Sequence, residues 1–149
     1  MIGLLQRVTE ARVDIDGSRI ATIGPGLVVL VGVRPEDDLP STLRLLERLL
    51  HYRVFADADG KMNLSLIETQ GDLLLVPQFT LAADTHKGLR PGFSTAAAPA
   101  QARQLFEALV GAARARHSRV ECGVFGAHMR VSLANDGPVT FWLESQPQP

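Results

Sequence analysis

The sequence holds a single cysteine, Cys122, among 149 residues. One thiol excludes an internal disulfide and favours a reducing compartment, so the chain is expected in the cytoplasm. Aromatic residues make up only 5%. The core must therefore be aliphatic, built from Leu, Val and Ala. No apolar run approaches the roughly 20 residues that a membrane-spanning helix needs. The opening "MIGLLQRVTEARV" has neither a basic leader nor a small-residue cleavage site, which speaks against a signal peptide. An excess of one charge is lacking too: the net charge is -1 and the isoelectric point about 6.4. Composition gives no case for a nucleic-acid partner. A protein that touches an RNA only at its end, however, needs no broad basic face.

Familiar catalytic signatures are also missing. There is no G-x-S-x-G elbow, no P-loop and no G-x-G-x-x-G after a strand. His51, His86, His117 and His128 show no paired ligand spacing, so neither a metal nor a cofactor is expected. His51 and His117 fall near helix C-termini, where the dipole favours a partly cationic ring. Cys122 reads as a small strand residue rather than half of a thiol–imidazole pair with His128.

What is present describes one α+β domain over residues 1–145, with a disordered tail at 146–149. Val13 and Ile15 alternate with polar residues, Asp16 and Gly17 supply a hairpin turn, and Ile20 and Ile23 follow. Residues 24–26 read as a second turn, and residues 27–33, apolar and rich in Val, as a central strand. Residues 37–55 read as a helix with Pro40 in its first turn and Leu43, Leu46, Leu50 and Val54 inward. Residues 57–63 form a turn. A second helix opens near Pro99, with Leu105, Phe106, Leu109 and Ala113 inward. Met129, Val131 and Leu133 alternate, residues 135–138 turn, and residues 139–143 make a last strand. Hairpins rather than βαβ units predict a mainly antiparallel or mixed, barrel-like sheet with two helices.

Three stretches carry possible chemistry. Arg103, Arg114, Arg116 and Arg119 form a basic stripe, ordinarily a solvated helix face and alternatively a phosphate contact. "LLLVPQFTLAAD" is a core strand interrupted at Pro77, a residue that cannot donate to a sheet ladder. If Gln78 and Thr80 face one side, Phe79 faces the other, which suits either a half-wet strand or a site. "NDGPVT", residues 135–140, is rich in turn residues. Cis bonds occupy only about 5–6% of X-Pro positions, so residue type alone reads the Gly137-Pro138 bond as trans.

Taken together, "QRVTEARV", "GLVVLVGV", "YRVFADADGKMNLS", "QFTLAADTHKGLRPGFS" and "GVFGAHMRVSLANDGPVTFWL" resemble the D-aminoacyl-tRNA deacylases across nearly the whole chain. The resemblance implies a homodimeric ester hydrolase that frees D-amino acids, and glycine, from the 3′ end of mischarged tRNA. It places the catalytic floor at Gln78, Phe79 and Thr80, with backbone N–H groups near Phe79 and Thr80 holding the oxyanion. No side-chain base is evident beside Thr80. Thr80 is therefore expected to position, while water attacks with help from the terminal ribose 2′-OH. Gly137 and Pro138, joined by a cis bond and inserted into the partner's pocket, would reject L-amino acids. Arg7 would brace them, and Pro77, Phe125, Met129 and Asn135 would contact substrate.

One position departs from the family pattern. Pro77 stands where the family usually has Ser, and a related paralogue that clears L-alanine from tRNA carries Pro there. Phe79 and residues 139–141 point back to the D-specific branch. The alternatives are relaxed chirality and a non-catalytic RNA-binding dimer.

Overall fold

The structure, a computed structural model, describes residues 1–147. Strand β1 (Ile2–Ile15) turns into β2 (Ser18–Ile23) through Asp16 and Gly17, with φ of 49° and 78°. A two-residue hairpin loop of this kind requires positive φ at both places, which Gly adopts without cost. β3 (Gly26–Gly32) follows. β1 pairs antiparallel with β2 and with β3, and the register carries over from one to the other. β2 and β3 thus run in line along one edge of β1.

The expected turn at 24–26 is therefore a kink without reversal. Its polar groups explain it. The Gly24 N–H donates to Asp72 Oδ2 at 2.8 Å, and the Pro25 carbonyl accepts from the Asp72 N–H at 3.0 Å. Here β6 (Asp72–Pro77) takes over as the neighbour of β3, parallel to it, and β7 (Val120–Cys122) lies parallel to β6. β2 folds back against β6 and β7, so the mixed sheet curls into a barrel-like form.

β8 (Arg130–Glu144) takes the other edge of β1 along almost its full length. The turn expected at 135–138 is absent as a reversal. β8 continues through it, with its register broken. Gln6 pairs with Thr140 and Val8 with Asn135, so residues 136–139 loop out of the ladder opposite Arg7 alone. A bulge of this size bends an edge strand and re-aims what it carries.

Helix α1 (Leu39–His51) starts at Asp38, whose carboxylate accepts from the Ser41 N–H at 2.7 Å while the Asp38 N–H donates to Ser41 Oγ. This reciprocal cap fixes the helix start. A small hairpin, β4 (Phe55–Ala56) and β5 (Met62–Leu64), closes around Asp57, and α2 (Leu66–Thr69) follows. Sequence reading expected two helices; α2 is a third. Ser65 and Glu68 form its reciprocal cap. α3 (Pro99–Arg116) buries Leu105, Phe106, Leu109 and Ala113 as expected.

Leu43, expected inward, is 43% exposed, because α1 packs through Leu45, Leu46, Leu49 and Leu50 instead. Val54 is buried but lies beyond the helix end. On β6, Leu73 and Leu75 face α1 and α3, while Leu74 and Val76 face Val8, Val13, Met129 and Val131. Burial on both faces explains the unbroken apolar run. Each such side chain contributes about 1.5–3 kcal/mol. The N-terminal ammonium is buried between the Asp37 carboxylate and the Ser145 carbonyl, which ties the first residue to the end of β8. In the expected tail, the Gln146 carbonyl accepts from Arg44, and residues 148–149 lie outside the described residues.

Candidate active site

β6 ends at Pro77 because the chain changes conformation there. The Gln78 N–H still donates to the Val31 carbonyl, at 2.7 Å, and then Phe79–Ala82 winds into a 3₁₀ helix. The strand reading of residues 78–83 is thus corrected. Pro77 leaves the ladder without a donor, and residues 78–81 close a turn through Leu81 N–H to Gln78 O at 3.2 Å. The first N–H groups of any helix lack intrahelical partners. Among the described residues, the Phe79 and Thr80 N–H groups donate to no protein acceptor.

A cavity of about 440 Å³ opens beside this turn, floored by Val76, Pro77, Gln78 and Phe79 and walled by Phe125 and Met129. Five predicted residues thus meet in one place. No carboxylate lines it, and His128 is its sole ionisable side chain. Phe79 is 55% exposed and tilts against Phe93, with ring centroids 5.1 Å apart. Sequence reasoning missed Phe93, and it missed Gly123. A Cβ on Gly123 would stand 2.7 Å from Met129 Sδ and 3.3 Å from Pro77 Cδ, so a larger residue there would push Met129 out of its present place against the floor. The signal was the "CGVFG" glycine pair flanking an aromatic residue.

Thr80 sits differently. It lines a second cavity, on the side of the 3₁₀ helix that carries Asp84, His86 and Trp142. His86 Nδ1 lies 2.8 Å from Asp84 Oδ1, and the His86 backbone N–H and ring together hold the Asp84 carboxyl below the ordinary carboxylate range. A Thr, His and Asp on one cavity wall suggest a nucleophile relay. The hydrogen bonding gives it no support: Thr80 Oγ1 receives its bond from Gln78 Nε2, and among the described residues none joins it to His86.

The predicted selection residues form a second cluster. Arg7 Nε donates to the Asp136 carbonyl at 3.2 Å and approaches the Asp136 carboxylate at 3.3 Å, while Arg7 Nη1 donates to the Val54 carbonyl at 2.6 Å. Asn135 spans the bulge. Its Oδ1 accepts from the Val139 N–H and its Nδ2 donates to Thr140 Oγ1, both at 2.9 Å. Gly137 has φ of 133°, a region that L side chains rarely adopt, and the Gly137-Pro138 bond is cis. Asp136, Gly137 and Pro138 are exposed.

The two clusters do not meet within one chain. No residue from 135 to 140 lines the 440 Å³ cavity. Val131, which does, is six residues and about 20 Å of strand from Gly137.

The D-Tyr-tRNA(Tyr) deacylase family model matches residues 4–144. The chain belongs to that family. A D-aminoacyl-tRNA deacylase of Azotobacter vinelandii is 62% identical over 145 residues, spanning 97% of this chain and 100% of its own. One of Nitrosococcus oceani is 62% identical over 99% of this chain and 95% of its own. A solved structure titled c-Myc DNA unwinding element binding protein superposes with a TM-score of 0.94 at 37% identity, covering 99% of this chain and 100% of that one. A probable eukaryotic D-amino acid tRNA deacylase, at 19% identity and a TM-score of 0.83, shares the fold over 96% of this chain and 98% of its own. The chain is accordingly a hydrolase with D-aminoacyl-tRNA deacylase activity. Among the described residues no helix is long and apolar enough to cross a membrane.

Proposed function

We propose that the enzyme is a chiral proofreader that works as a cytoplasmic homodimer. It cleaves the ester of D-aminoacyl-tRNA and of mischarged glycyl-tRNA, and spares L-aminoacyl esters. The observation that carries this reading is the bulge at residues 136–139. It exposes Asp136, Gly137 and Pro138, of which Gly137 carries no side chain, and Arg7 and Asn135 hold it in place. A rigid wall of backbone tests where a substituent points without asking what it is. A D side chain leaves away from the wall, glycine has nothing to collide, and an L side chain meets it.

The bulge does not line its own chain's cavity, which supports a second copy supplying it. At the turn beside the cavity, the Phe79 and Thr80 N–H groups receive the developing oxyanion, and removal of one such donor typically costs about 10²–10³ in rate. Gln78 holds the Thr80 hydroxyl, and Thr80 positions the ester. Water attacks the carbonyl carbon, the ester C–O bond breaks, and the ribose oxygen leaves with a proton. Among the described residues no side-chain base is hydrogen-bonded to Thr80, and the neighbouring ribose 2′-OH assists the water. Pro77, Phe125 and Met129 enclose the substrate, and Asn135 serves it indirectly by shaping the bulge.

The test is release of amino acid from D-tyrosyl-, L-tyrosyl- and glycyl-tRNA, with sedimentation to count subunits. Release from the D and glycyl esters only, by a dimer, is expected. Release from L-tyrosyl- or L-alanyl-tRNA as well would favour relaxed chirality, for which Pro77 is the motive. One solved relative is named for DNA binding, and a purely nucleic-acid-binding dimer would release none.

A further inference from the structure

The basic stripe of the sequence separates in three dimensions. Arg116 Nη2 meets Glu47 at 2.6 Å and Arg119 Nη1 meets Asp72 at 3.6 Å, so both charges are matched. Arg114 lies against the Cys122 thiol, at 3.6 Å. Arg103 is different. Its guanidinium stands 4.9 Å from the centre of the Phe125 ring, and among the described residues no carboxylate pairs with it. Glu107, one turn along α3, makes no ion pair with it. Phe125 walls the 440 Å³ cavity, and so does Ala102, the residue before Arg103. An uncompensated, exposed cation is thus fixed at the mouth of a cavity that contains no carboxylate. The aromatic ring lies against the guanidinium without satisfying its donors, which leaves the fork open.

We propose that Arg103 is a phosphate-binding residue that grips the backbone of the tRNA 3′ strand just outside the cavity. The inference rests on the tRNA reading above. An ester of the terminal ribose, seated in the cavity, places the next phosphodiester at its mouth. There a guanidinium gives paired, charge-assisted hydrogen bonds to phosphate oxygens. Such a contact carries no base information, so it serves any tRNA. It also lets a protein with a net charge of -1 hold an RNA by its tip.

The test is binding of uncharged tRNA across a salt series by the wild type, Arg103→Gln, Arg103→Lys and Arg116→Gln. Arg103→Gln should weaken binding about fivefold and reduce the salt slope by about 0.7, the value for one single-strand phosphate. Arg103→Lys should recover most of the slope, and Arg116→Gln should match the wild type. In hydrolysis, the Arg103→Gln penalty should fall on KM for D-tyrosyl-tRNA. It should be several times smaller on D-tyrosyl-adenosine, which lacks the phosphate. An unchanged salt slope would overturn the proposal, and so would equal penalties on both esters, which would make Arg103 a packing partner of Phe125. An enzyme that bound tRNA with the Arg103-dependent slope yet cleaved neither ester would support this proposal and remove the deacylase reading.

Discussion

The floor at residues 76–80 and the bulge at residues 136–139 are built in opposite ways. The floor grows from a strand with a deeply buried middle, where Leu73, Leu74, Leu75 and Val76 are at most 1% exposed. Its geometry is set by packing on both sheet faces. The bulge sits on an edge strand, exposed at its tip, and its geometry is set by hydrogen bonds from Arg7 and Asn135. A chemical floor gains from a dense interior, which transmits little motion. A wall proposed to enter another subunit stands out from the surface, so it needs polar bracing of its own.

Substitutions can break this contrast, and Gly137→Ala should do so most. A Cβ there would lie 2.7 Å from Val139 Cγ2 and 3.0 Å from the Val139 N–H that binds Asn135. The bulge must shift. Overpacking of this kind costs about 1–3 kcal/mol, and activity on D and glycyl esters should fall roughly 5- to 150-fold in kcat/KM. The melting temperature should fall as well, because an alanine at a φ of 133° is strained in the folded chain. Arg7→Ala comes next. It frees the Asp136 carbonyl and should lower the D-over-L ratio about tenfold, or about 1.4 kcal/mol, in paired tyrosyl-tRNA assays.

Changes in the floor should act on rate rather than selection. Thr80→Ala should reduce kcat a few-fold, about 1 kcal/mol, with the D-over-L ratio retained. Mass spectrometry of wild-type turnover should find no aminoacyl adduct on Thr80. Glu144→Gln should have the smallest effect. Arg34 forks onto Glu144 at 3.0 and 3.2 Å, and Trp142 Nε1 donates to it at 2.6 Å. Arg34 first, and Trp142 second, hold the Glu144 carboxyl below its ordinary 4.5. A carboxyl lowered in the folded state stabilises above its unfolded value and loses that contribution as pH falls through the folded one. Thermal melts should therefore show the wild type ahead of Glu144→Gln by less than about 1 kcal/mol at neutral pH, with the gap closing under acid.

The sequence made some of this legible and concealed the rest for physical reasons. The Asp16 and Gly17 hairpin was readable because two positive φ values admit few residue types. The inward face of α3 was readable because nothing interrupts its period. The 3₁₀ helix at Phe79–Ala82 was not, since a four-residue turn has no period to show. Leu43 misled because α1 carries leucines on more than one face, and only the neighbouring sheet decides which face is covered. The cap of α2, Ser65 with Glu68, stood in the sequence, but its helix is too short for a hydrophobic pattern. Residues 135–138 have turn composition, and only the pairing with β1 reveals that the strand runs on. The separation of Arg103 from Arg116 and Arg119 depended on carboxylates distant in sequence.

The pairing of β1 with β8 bears on how the enzyme is made. Ile2 lies opposite Glu144, so β1 leaves the ribosome well before the strand that covers its edge. At about 5–20 residues per second, that interval is on the order of 10 s. Until β8 arrives, one edge of β1 is an open template for strands of other chains. A nascent molecule can form the β1–β2 hairpin early, whereas residues 136–139 arrive only with β8. Translation products truncated before β8 should therefore be aggregation-prone.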